Sequence, residues 1–303
     1  MNEAFIILQQ AIIIFLILIT GAFLSKKGLV NQSGSTQLSN IIVNVVSPAV
    51  IFMSYQTDYH PERVQSLLLT FSMCFTMYAI SIPLSMLFIS KKRGENKAIE
   101  RFCTVFSNCG FMGIPLVSGI YGYDGVFYVS AVIAIFNLMI WTYGVILMRG
   151  KLSPSEFVSV LKSPNIIALA LGLICFFLQI RIPFIPSETL QHFANMNTPL
   201  AMLISGISLA SSNLKKIFTN GRIYFLCLLK LIVIPLAVAI VLKLFNAPEM
   251  VYMAVVITTA CPTAGMSTIL ALKYNQNAAY ASELVAASTV LSIITLPLIT
   301  LIV

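Results

Sequence analysis

The sequence predicts an all-α polytopic membrane protein whose ten transmembrane helices form two inverted five-helix repeats. Three observations predict this fold: the composition, the spacing of the apolar runs, and a residue pattern shared by the two halves. Of 303 residues, 58% are hydrophobic and only 9% are charged, and the mean hydropathy is +0.94. Soluble domains carry about 25% charged residues, so the composition excludes a soluble globular protein.

Apolar runs long enough to cross a bilayer recur along the whole chain. A helix needs roughly 20 apolar residues to span about 30 Å of hydrocarbon. No basic residue precedes the first run, which is longer than a signal-peptide core, so we expect this helix to be retained. The ten predicted helices are 5–24, 37–56, 66–90, 101–121, 126–148, 163–180, 193–212, 222–245, 249–272 and 280–302.

The basic residues predict how the helices are oriented. Short loops rich in Lys and Arg stay on the cytoplasmic side of a membrane. The loops after odd-numbered helices hold most of the 18 Lys and Arg residues, whereas those after even-numbered helices hold Arg63, Arg181 and Lys243. We therefore expect both termini on the extracytoplasmic side of an inner or plasma membrane. The basic balance needs no nucleic-acid partner to explain it.

The two halves of the chain share residues at a near-constant offset of 151 or 152 positions. The matched pairs include Gly21 with Gly172, Asn44 with Asn195, Pro48 with Pro199, Pro83 with Pro235, Cys109 with Cys261, and Gly113 with Gly265. Because five helices are an odd number, the second copy enters the membrane from the opposite side. The sequence thus predicts a first repeat at 1–148, a cytoplasmic linker at 149–162 and an inverted second repeat at 163–303.

Helix-breaking residues fall inside the fourth and ninth predicted helices. The stretch NCGFMGIPL at 108–116 aligns by the repeat offset with ACPTAGMST at 260–268. Proline removes an amide donor and glycine weakens a helix, and a freed backbone group in lipid costs several kcal/mol. Two such segments predict interrupted helices that border a site, since half-helix N-termini attract anions without an arginine.

Residue patterns that are missing from the sequence favour transport over other functions. No carboxylate lies at the centre of a predicted helix, so the paired acids of a cation/proton exchanger are missing. The sequence contains no H-E-x-x-H, no G-x-S-x-G and no metal-ligand cluster, so we expect neither an enzyme nor a cofactor or metal. The leading hypothesis is a secondary carrier of small organic carboxylates. An anion channel that uses the same crossing is the alternative, and a receptor without transport stays open.

The break motifs resemble those of the auxin efflux carrier family, which includes plant PIN-FORMED carriers and bacterial permeases linked to malonate and malate. SNCGFMGIPLV is similar to the fourth-helix crossover of the family, and ACPTAG followed by ALKYN is similar to its ninth-helix crossover. The resemblance extends across all ten helices. It implies an elevator-like mechanism, in which a crossover bundle carries the substrate past a scaffold of helices one, two, six and seven, and a homodimer formed through that scaffold.

The resemblance also implies roles for single residues. Asn108 would contact the substrate carboxylate, with an interhelical hydrogen bond as its alternative, and Pro115 and Pro262 would mark the crossing breaks. Ser267 departs from the plant members, which carry a further proline there, and the loop between the halves is much shorter than in many of them. The substrate-binding candidates are Asn108, Gly110, Gly113, Pro115, Ser47, Pro262, Thr263, Gly265 and Ser267.

Two charged residues within predicted helices are candidates for coupling. Lys230 lies inside the eighth helix and Glu283 near the start of the tenth, at similar predicted depth. A buried cation is costly unless it is paired, so we hypothesise a Lys230–Glu283 ion pair or a role in proton or anion handling. The alternative is that both side chains reach the interface. A dipole and an amide fit malonate-like, malate-like and indole-acetate-like acids equally, so substrate, direction, coupling and oligomeric state stay open.

Overall fold

The computed structural model describes residues 3–89, 96–150, 161–210 and 220–303, and the regular structure in these ranges is helical throughout. The predicted all-α class is therefore confirmed. The linker predicted at 149–162 lies largely outside the described residues. So do several of the predicted cytoplasmic basic residues: Lys91, Lys92, Arg93, Lys151, Lys215 and Lys216.

Helices occupy all five segments predicted for the first half. They are α1 (Glu3–Lys26), α2 (Gln32–Ile41), α3 (Ser47–Ser54), α4 (Pro61–Phe88), α5 (Lys97–Val105), α6 (Ile114–Met139) and α7 (Val145–Arg149). Wider π-turns at Ile42–Val46 and Ile140–Gly144 join α2 to α3 and α6 to α7, and a third at Cys109–Gly113 leads into α6. Gly122, with φ 62° and ψ −150°, interrupts α6 at the boundary predicted between the fourth and fifth helices.

The second half follows the same order with one correction. Its helices are α8 (Pro164–Leu178), α9 (Phe184–Asn195), α10 (Asn197–Ala210), α11 (Gly221–Leu228), α12 (Ile234–Leu242), α13 (Glu249–Ala260), α14 (Met266–Lys273) and α15 (Ala278–Ile302). A π-turn at Leu229–Val233 joins α11 to α12. The predicted seventh helix at 193–212 corresponds to α10, and the correction is a further helix, α9, in a stretch that was predicted largely as a loop. Glu188, Gln191 and His192 lowered the hydropathy of that stretch without preventing a helix.

Three of the described π-turns stand directly before a proline. Pro48, Pro115 and Pro235 each occupy the second position after such a turn. A proline has no N–H to offer the carbonyl four residues earlier, so the preceding turn widens instead of closing normally. These prolines therefore bend a continuous helix without breaking it.

Several of the described helices are suited to a membrane. Five stretches are long and apolar enough to cross a bilayer on their own: Ser33–Ser54, Pro61–Phe88, Cys109–Arg149, Gly221–Phe245 and Ala278–Ile302. Shorter apolar helices lie at Ile12–Lys26, Pro164–Leu178 and Glu249–Ala260. Large apolar side chains such as Leu16 and Ile240 remain 59% and 69% exposed, as expected of surfaces that face lipid. The ten-span inverted arrangement itself stays a prediction.

The helices pack as two groups. In the first, which we call the scaffold, α1 and α2 pack on α10, and α3 packs on α8 and α9. In the second, which we call the bundle, α4 packs on α6 and α12, α6 on α13, and α11 and α14 on α15. The groups meet where α1 contacts α6 and α15, where α3 contacts α6, and where α10 contacts the Cys109–Gly113 turn.

The scaffold contains an unusually close backbone approach. A Cβ atom added to Gly21 of α1 would lie 2.2 Å from the carbonyl oxygen of Leu203 on α10. One added to Gly206 of α10 would lie 1.9 Å from the carbonyl oxygen of Leu18 on α1. Only glycine permits two membrane helices to pack this near to each other.

Candidate functional site

Two interrupted helices lie at the centre of the bundle. The first is broken between α5, which ends at Val105, and the helical turn that starts at Cys109. The second is broken between the end of α13 at Ala260 and the start of α14 at Met266. Both breaks occur in the fourth and ninth predicted helices, as the proline and glycine pattern predicts.

The two breaks cross and hydrogen-bond to each other. The backbone N–H of Asn108 donates to the carbonyl of Pro262 at 2.7 Å, and the N–H of Ala264 donates to the carbonyl of Phe106 at 3.0 Å. These bonds form a single antiparallel bridge between Ser107 and Thr263. The backbone groups freed by each break are thus satisfied by the other, which is what an apolar interior requires.

Hydroxyl groups strengthen the crossing in a reciprocal way. Ser107 Oγ donates to the carbonyl of Thr259 at 2.9 Å, and Thr263 Oγ1 donates to the carbonyl of Cys103 at 2.8 Å. In each case the acceptor lies four residues before the bridge residue of the partner strand. The backbone of Thr263 also donates to Ser288 Oγ at 3.1 Å, which attaches the crossing to α15.

The crossing corrects two details of the sequence interpretation. The bridge residues Ser107 and Thr263 lie 156 positions apart, about one helical turn more than the 152 positions of the sequence motifs. Pro262 lies inside its break, but Pro115 lies beyond the Cys109–Gly113 turn, within a continuous helix. Pro115 therefore does not mark a break.

The N-termini of both half-helices border open space. Asn108 is the N-cap of the first, where its Oδ1 accepts the N–H of Phe111 at 3.4 Å. A Cβ atom added to Gly110 or to Gly265 would meet no atom of the described residues within 4 Å. Asn108 and Gly110 are half-buried and Gly265 is exposed, so a small solute can approach both ends.

Other predicted site residues lie away from this opening. A Cβ atom on Gly113 would lie 2.9 Å from Thr258 Cγ2, so this glycine allows helix packing. Thr263 and Ser267 are 2% and 0% exposed, beneath the surface of the crossing. Ser47 is buried in α3, and the elements packed on α3 include α6, α8 and α9. The proline and glycine pattern located the helix breaks. It did not show which residues of each break face the opening and which pack against neighbouring helices.

Lys230 lies beside the crossing with a different partner from the one predicted. Its side chain is 1% exposed, and its ammonium donates to Ser107 Oγ and to the carbonyl of Thr259, the latter at 3.3 Å. Glu283 is half-buried on α15, and no ion pair joins it to Lys230 in the described chain. The predicted pair is therefore wrong in this structure, and Lys230 does not reach the interface.

A buried ionic cluster escaped sequence reasoning. Glu100 of α5 is 5% exposed and accepts two hydrogen bonds from Arg222 of α11, at 2.6 and 3.0 Å. The hydroxyl of Tyr280 on α15 donates to the same carboxylate at 3.1 Å. Glu100 stands in the first turn of its helix, where sequence alone predicts a solvated acid. Only the packing of α5, α11 and α15 against one another shows that it is enclosed.

Asn197, the first residue of α10, was also not predicted. It is 3% exposed, and both its Nδ2 and its Oδ1 are buried without a hydrogen-bond partner among the described residues. Leaving such a group unpaired costs about 1–3 kcal/mol. The scaffold helix that it begins also contacts the Cys109–Gly113 turn. Asn197 is therefore a polar group with unused hydrogen-bonding capacity on the scaffold side. Nothing in the repeat pattern singled it out, because the matching position in the first half is Val46.

Comparison with known proteins decides the family. A family model described as membrane transport protein matches residues 6–159 and 151–300, which together cover nearly the whole chain. The chain belongs to this membrane transport family, the auxin efflux carrier family. The resemblance found in the crossover motifs is thus confirmed, and the protein is a multi-pass membrane transporter by family.

Curated relatives agree along their full length. An uncharacterized transporter of Methanothermobacter thermautotrophicus is 24% identical over 302 residues, which cover 96% of each chain. One of Methanocaldococcus jannaschii is 22% identical over 303 residues, covering 96% of this chain and 97% of its own. One of Escherichia coli K12 is 22% identical over 305 residues, covering 94% of each. The similarity spans both halves and both breaks.

Proposed function

We propose that this protein is a secondary carrier of small organic carboxylate anions, which bind at the crossing of the two broken helices. The observation that supports the proposal is the pair of half-helix N-termini bordered by open space at Gly110 and Gly265. Free amides and the positive ends of two helix dipoles converge there, an arrangement that favours a carboxylate. Asn108 would donate from its Nδ2 to the carboxylate, because its Oδ1 already caps the helix.

The two packing groups support movement of the bundle against the scaffold. The crossing and its backbone bonds belong entirely to the bundle, whereas α1, α3 and α10 of the scaffold only pack against it. Sliding of one group past the other would carry a bound anion from one side of the membrane to the other without breaking the crossing. This is an elevator-like form of alternating access.

An aromatic cluster supplies contacts that such a movement would exchange. Tyr55 and Phe176 of the scaffold pack on Phe127 of the bundle, with ring centroids of Tyr55 and Phe127 4.6 Å apart. The Tyr55 hydroxyl also hydrogen-bonds Ser130 Oγ at 2.6 Å. At the positions related by the repeat offset to Tyr55 and Phe127 stand Gly206 and Ala279. The repeat therefore does not reproduce this aromatic contact in the second half.

The proposed membrane orientation, homodimer and inverted repeats rest on the distribution of basic residues and on the family resemblance. We place the odd-numbered loops in the cytoplasm and both termini outside a cell membrane, because basic residues concentrate in those loops. A homodimer formed through the scaffold would leave the bundle free to move. The two repeats at 1–148 and 163–303, inverted about an axis in the membrane plane, would supply the two equivalent end states.

The decisive experiment is uptake of radiolabelled malonate, malate and indole-acetate by proteoliposomes, with proton, sodium and potential gradients imposed one at a time. Wild type is compared with Asn108→Ala and with the matched control Asn137→Ala. Asn137 is a half-buried bundle amide, and its one hydrogen bond within the described ranges is to the carbonyl of Ile133 in its own helix, at 2.8 Å. Both variants lose one amide of the same size, but only the first loses it at the crossing.

The outcomes separate the possible functions. Saturable flux of one acid that is lost in Asn108→Ala and kept in Asn137→Ala supports the carrier and reveals its coupling. Non-saturating flux with large single-molecule currents would favour an anion channel, since alternating access limits flux to one substrate per cycle. Absence of flux for all three acids, with folded protein confirmed, would refute the substrate class.

A further inference from the structure

Lys230 places an amine inside the bundle, against the crossing. The Leu229–Val233 π-turn holds it there, and its side chain is 1% exposed. Both acceptors of its ammonium, Ser107 Oγ and the carbonyl of Thr259, are uncharged groups. Enclosing an ammonium among neutral partners costs several kcal/mol, so a charge in this position needs a compensating anion.

No acid in the described ranges compensates this charge. Acids on the helices packed against the π-turn are Glu100 of α5, Glu249 of α13 and Glu283 of α15, and none forms an ion pair with Lys230. Glu100 is already engaged by Arg222 and Tyr280. The remaining titratable groups of these helices are Lys97, Arg101 and Cys103 of α5, Tyr224 and Cys227 of α11, and Tyr252 of α13, and the thiols of Cys109 and Cys261 also lie near Lys230. None of these groups supplies an anion at neutral pH.

The ammonium occupies the negative end of a helix dipole. Thr259 stands in the last turn of α13, whose C-terminal end carries a partial negative charge. Without a cation, this end would oppose an anion at the half-helix N-termini, which belong to the same crossing. When it is protonated, Lys230 offsets this partial negative charge. Ser107, which accepts the ammonium proton, directly precedes the N-cap Asn108.

We propose that Lys230 is the charge partner of the transported carboxylate, so that the carboxylate and a proton on Lys230 bind to the crossing together. The inference rests on the proposed function and assigns its coupling. Anion and ammonium stabilise each other, and each therefore raises the affinity for the other by the same factor. Departure of the anion leaves the ammonium without a counter-charge and favours transfer of its proton to water on the open side. One proton thus enters and leaves with each carboxylate.

The test measures how many protons the protein takes up for each malonate that it binds. Titration calorimetry of the full-length protein in buffers of different ionisation enthalpy gives this number. Titrations run from about pH 6.5 to about pH 9.5, a range that lies below the titration of an exposed lysine because burial disfavours a charged amine. They are repeated with malate and with indole-acetate. Wild type is compared with Lys230→Gln, Lys230→Arg and the control Lys243→Gln. Lys243 follows α12 on the same apolar stretch but is exposed.

We expect wild type and Lys243→Gln to take up protons on binding, approaching one per anion as the pH rises. Lys230→Gln is expected to take up none and to bind about tenfold more weakly or worse, since it lacks a unit charge near the site. Lys230→Arg is expected to bind without proton uptake, because a guanidinium keeps its proton throughout this range. A purely structural role of Lys230 would not change the proton count.

Contrary results are equally specific. Wild-type binding enthalpies that are the same in every buffer across this pH range would overturn the inference and leave the carrier standing. Lys230→Gln with wild-type affinity and wild-type proton uptake would do the same. If Lys230→Gln does not fold, the wild-type buffer series and Lys230→Arg still decide. A wild type that neither binds nor carries any of the three acids removes both the inference and the proposed function.

Discussion

The close approach of α1 and α10 makes a sharp prediction for Gly206→Ala. The new Cβ atom would lie 1.9 Å from the carbonyl oxygen of Leu18, whereas carbon and oxygen atoms normally stay about 3.3 Å apart. The two backbones must therefore separate by more than about 1 Å. The obstacle is main chain, so no flexible side chain can move aside to relieve the overlap.

The cost follows from two opposing terms. Overpacking of a tight interface costs about 1–3 kcal/mol, and a contact with rigid backbone belongs at the upper end. Alanine recovers up to about 1 kcal/mol of helix propensity relative to glycine. We expect a net loss of about 2 kcal/mol, seen as a fall of about 5 °C in the apparent melting temperature in detergent. Intrinsic tyrosine and tryptophan fluorescence can follow the transition.

Gly110→Ala is the matched control for this prediction. Gly110 also lies within a helix, but its new Cβ atom would meet no atom within 4 Å. This variant should melt at the wild-type temperature or slightly above it, since only the propensity term acts. If Gly206→Ala and Gly110→Ala melt together, at or above wild type, the helices do not approach as described and the reasoning fails.

Three further predictions concern the ion pairs, the α6 interruption and the crossing. Arg222→Ala should lower the free energy of unfolding by about 3–5 kcal/mol, because it leaves the buried Glu100 without its ion-pair partner. Arg181→Ala breaks an exposed pair with an aspartate and should change it by no more than about 1 kcal/mol. Equal shifts in melting temperature for the two variants would contradict this. Gly122→Ala should cost about 1–3 kcal/mol because φ 62° with ψ −150° is strained for alanine, and an unchanged melting temperature would argue against the interruption. Thr263→Val removes a 2.8 Å hydrogen bond across the crossing at nearly constant volume, so it should cost about 1–3 kcal/mol and lower uptake; full stability and uptake would show the bond to be dispensable.

The helix breaks could be predicted from the sequence because each is caused by residues within the break itself. Proline and glycine act on their own backbone, so the stretches at 108–116 and 260–268 were found without knowledge of any partner. Their register was not accessible. Ser107 pairs with Thr263 because two separate backbone segments satisfy each other's donors, and Pro115 lies outside the break because a π-turn absorbs its missing N–H.

For the charged residues too, some features could be predicted from the sequence and others could not. Their rarity and their concentration in loops follow from the cost of charge in hydrocarbon, and both can be counted in the chain. Which charges are enclosed, and by what, depends on neighbours far away in sequence. Glu100 contacts Arg222, which lies 122 positions away in the sequence. Lys230 contacts Ser107, 123 positions away, and not Glu283, which was predicted to lie at a similar depth in the membrane.

By itself, the sequence determined that this chain is a helical membrane transporter with two interrupted helices, since hydropathy, backbone propensity and family motifs are properties of short segments. Tertiary structure alone decided that the interruptions bind each other, that Gly110 and Gly265 border open space while Gly113 and Ser267 do not, and that no acid in the described part of the chain forms an ion pair with Lys230. The reason is physical. Hydrogen-bond satisfaction and charge compensation inside an apolar bundle depend on which distant segments meet, and local sequence does not carry that information.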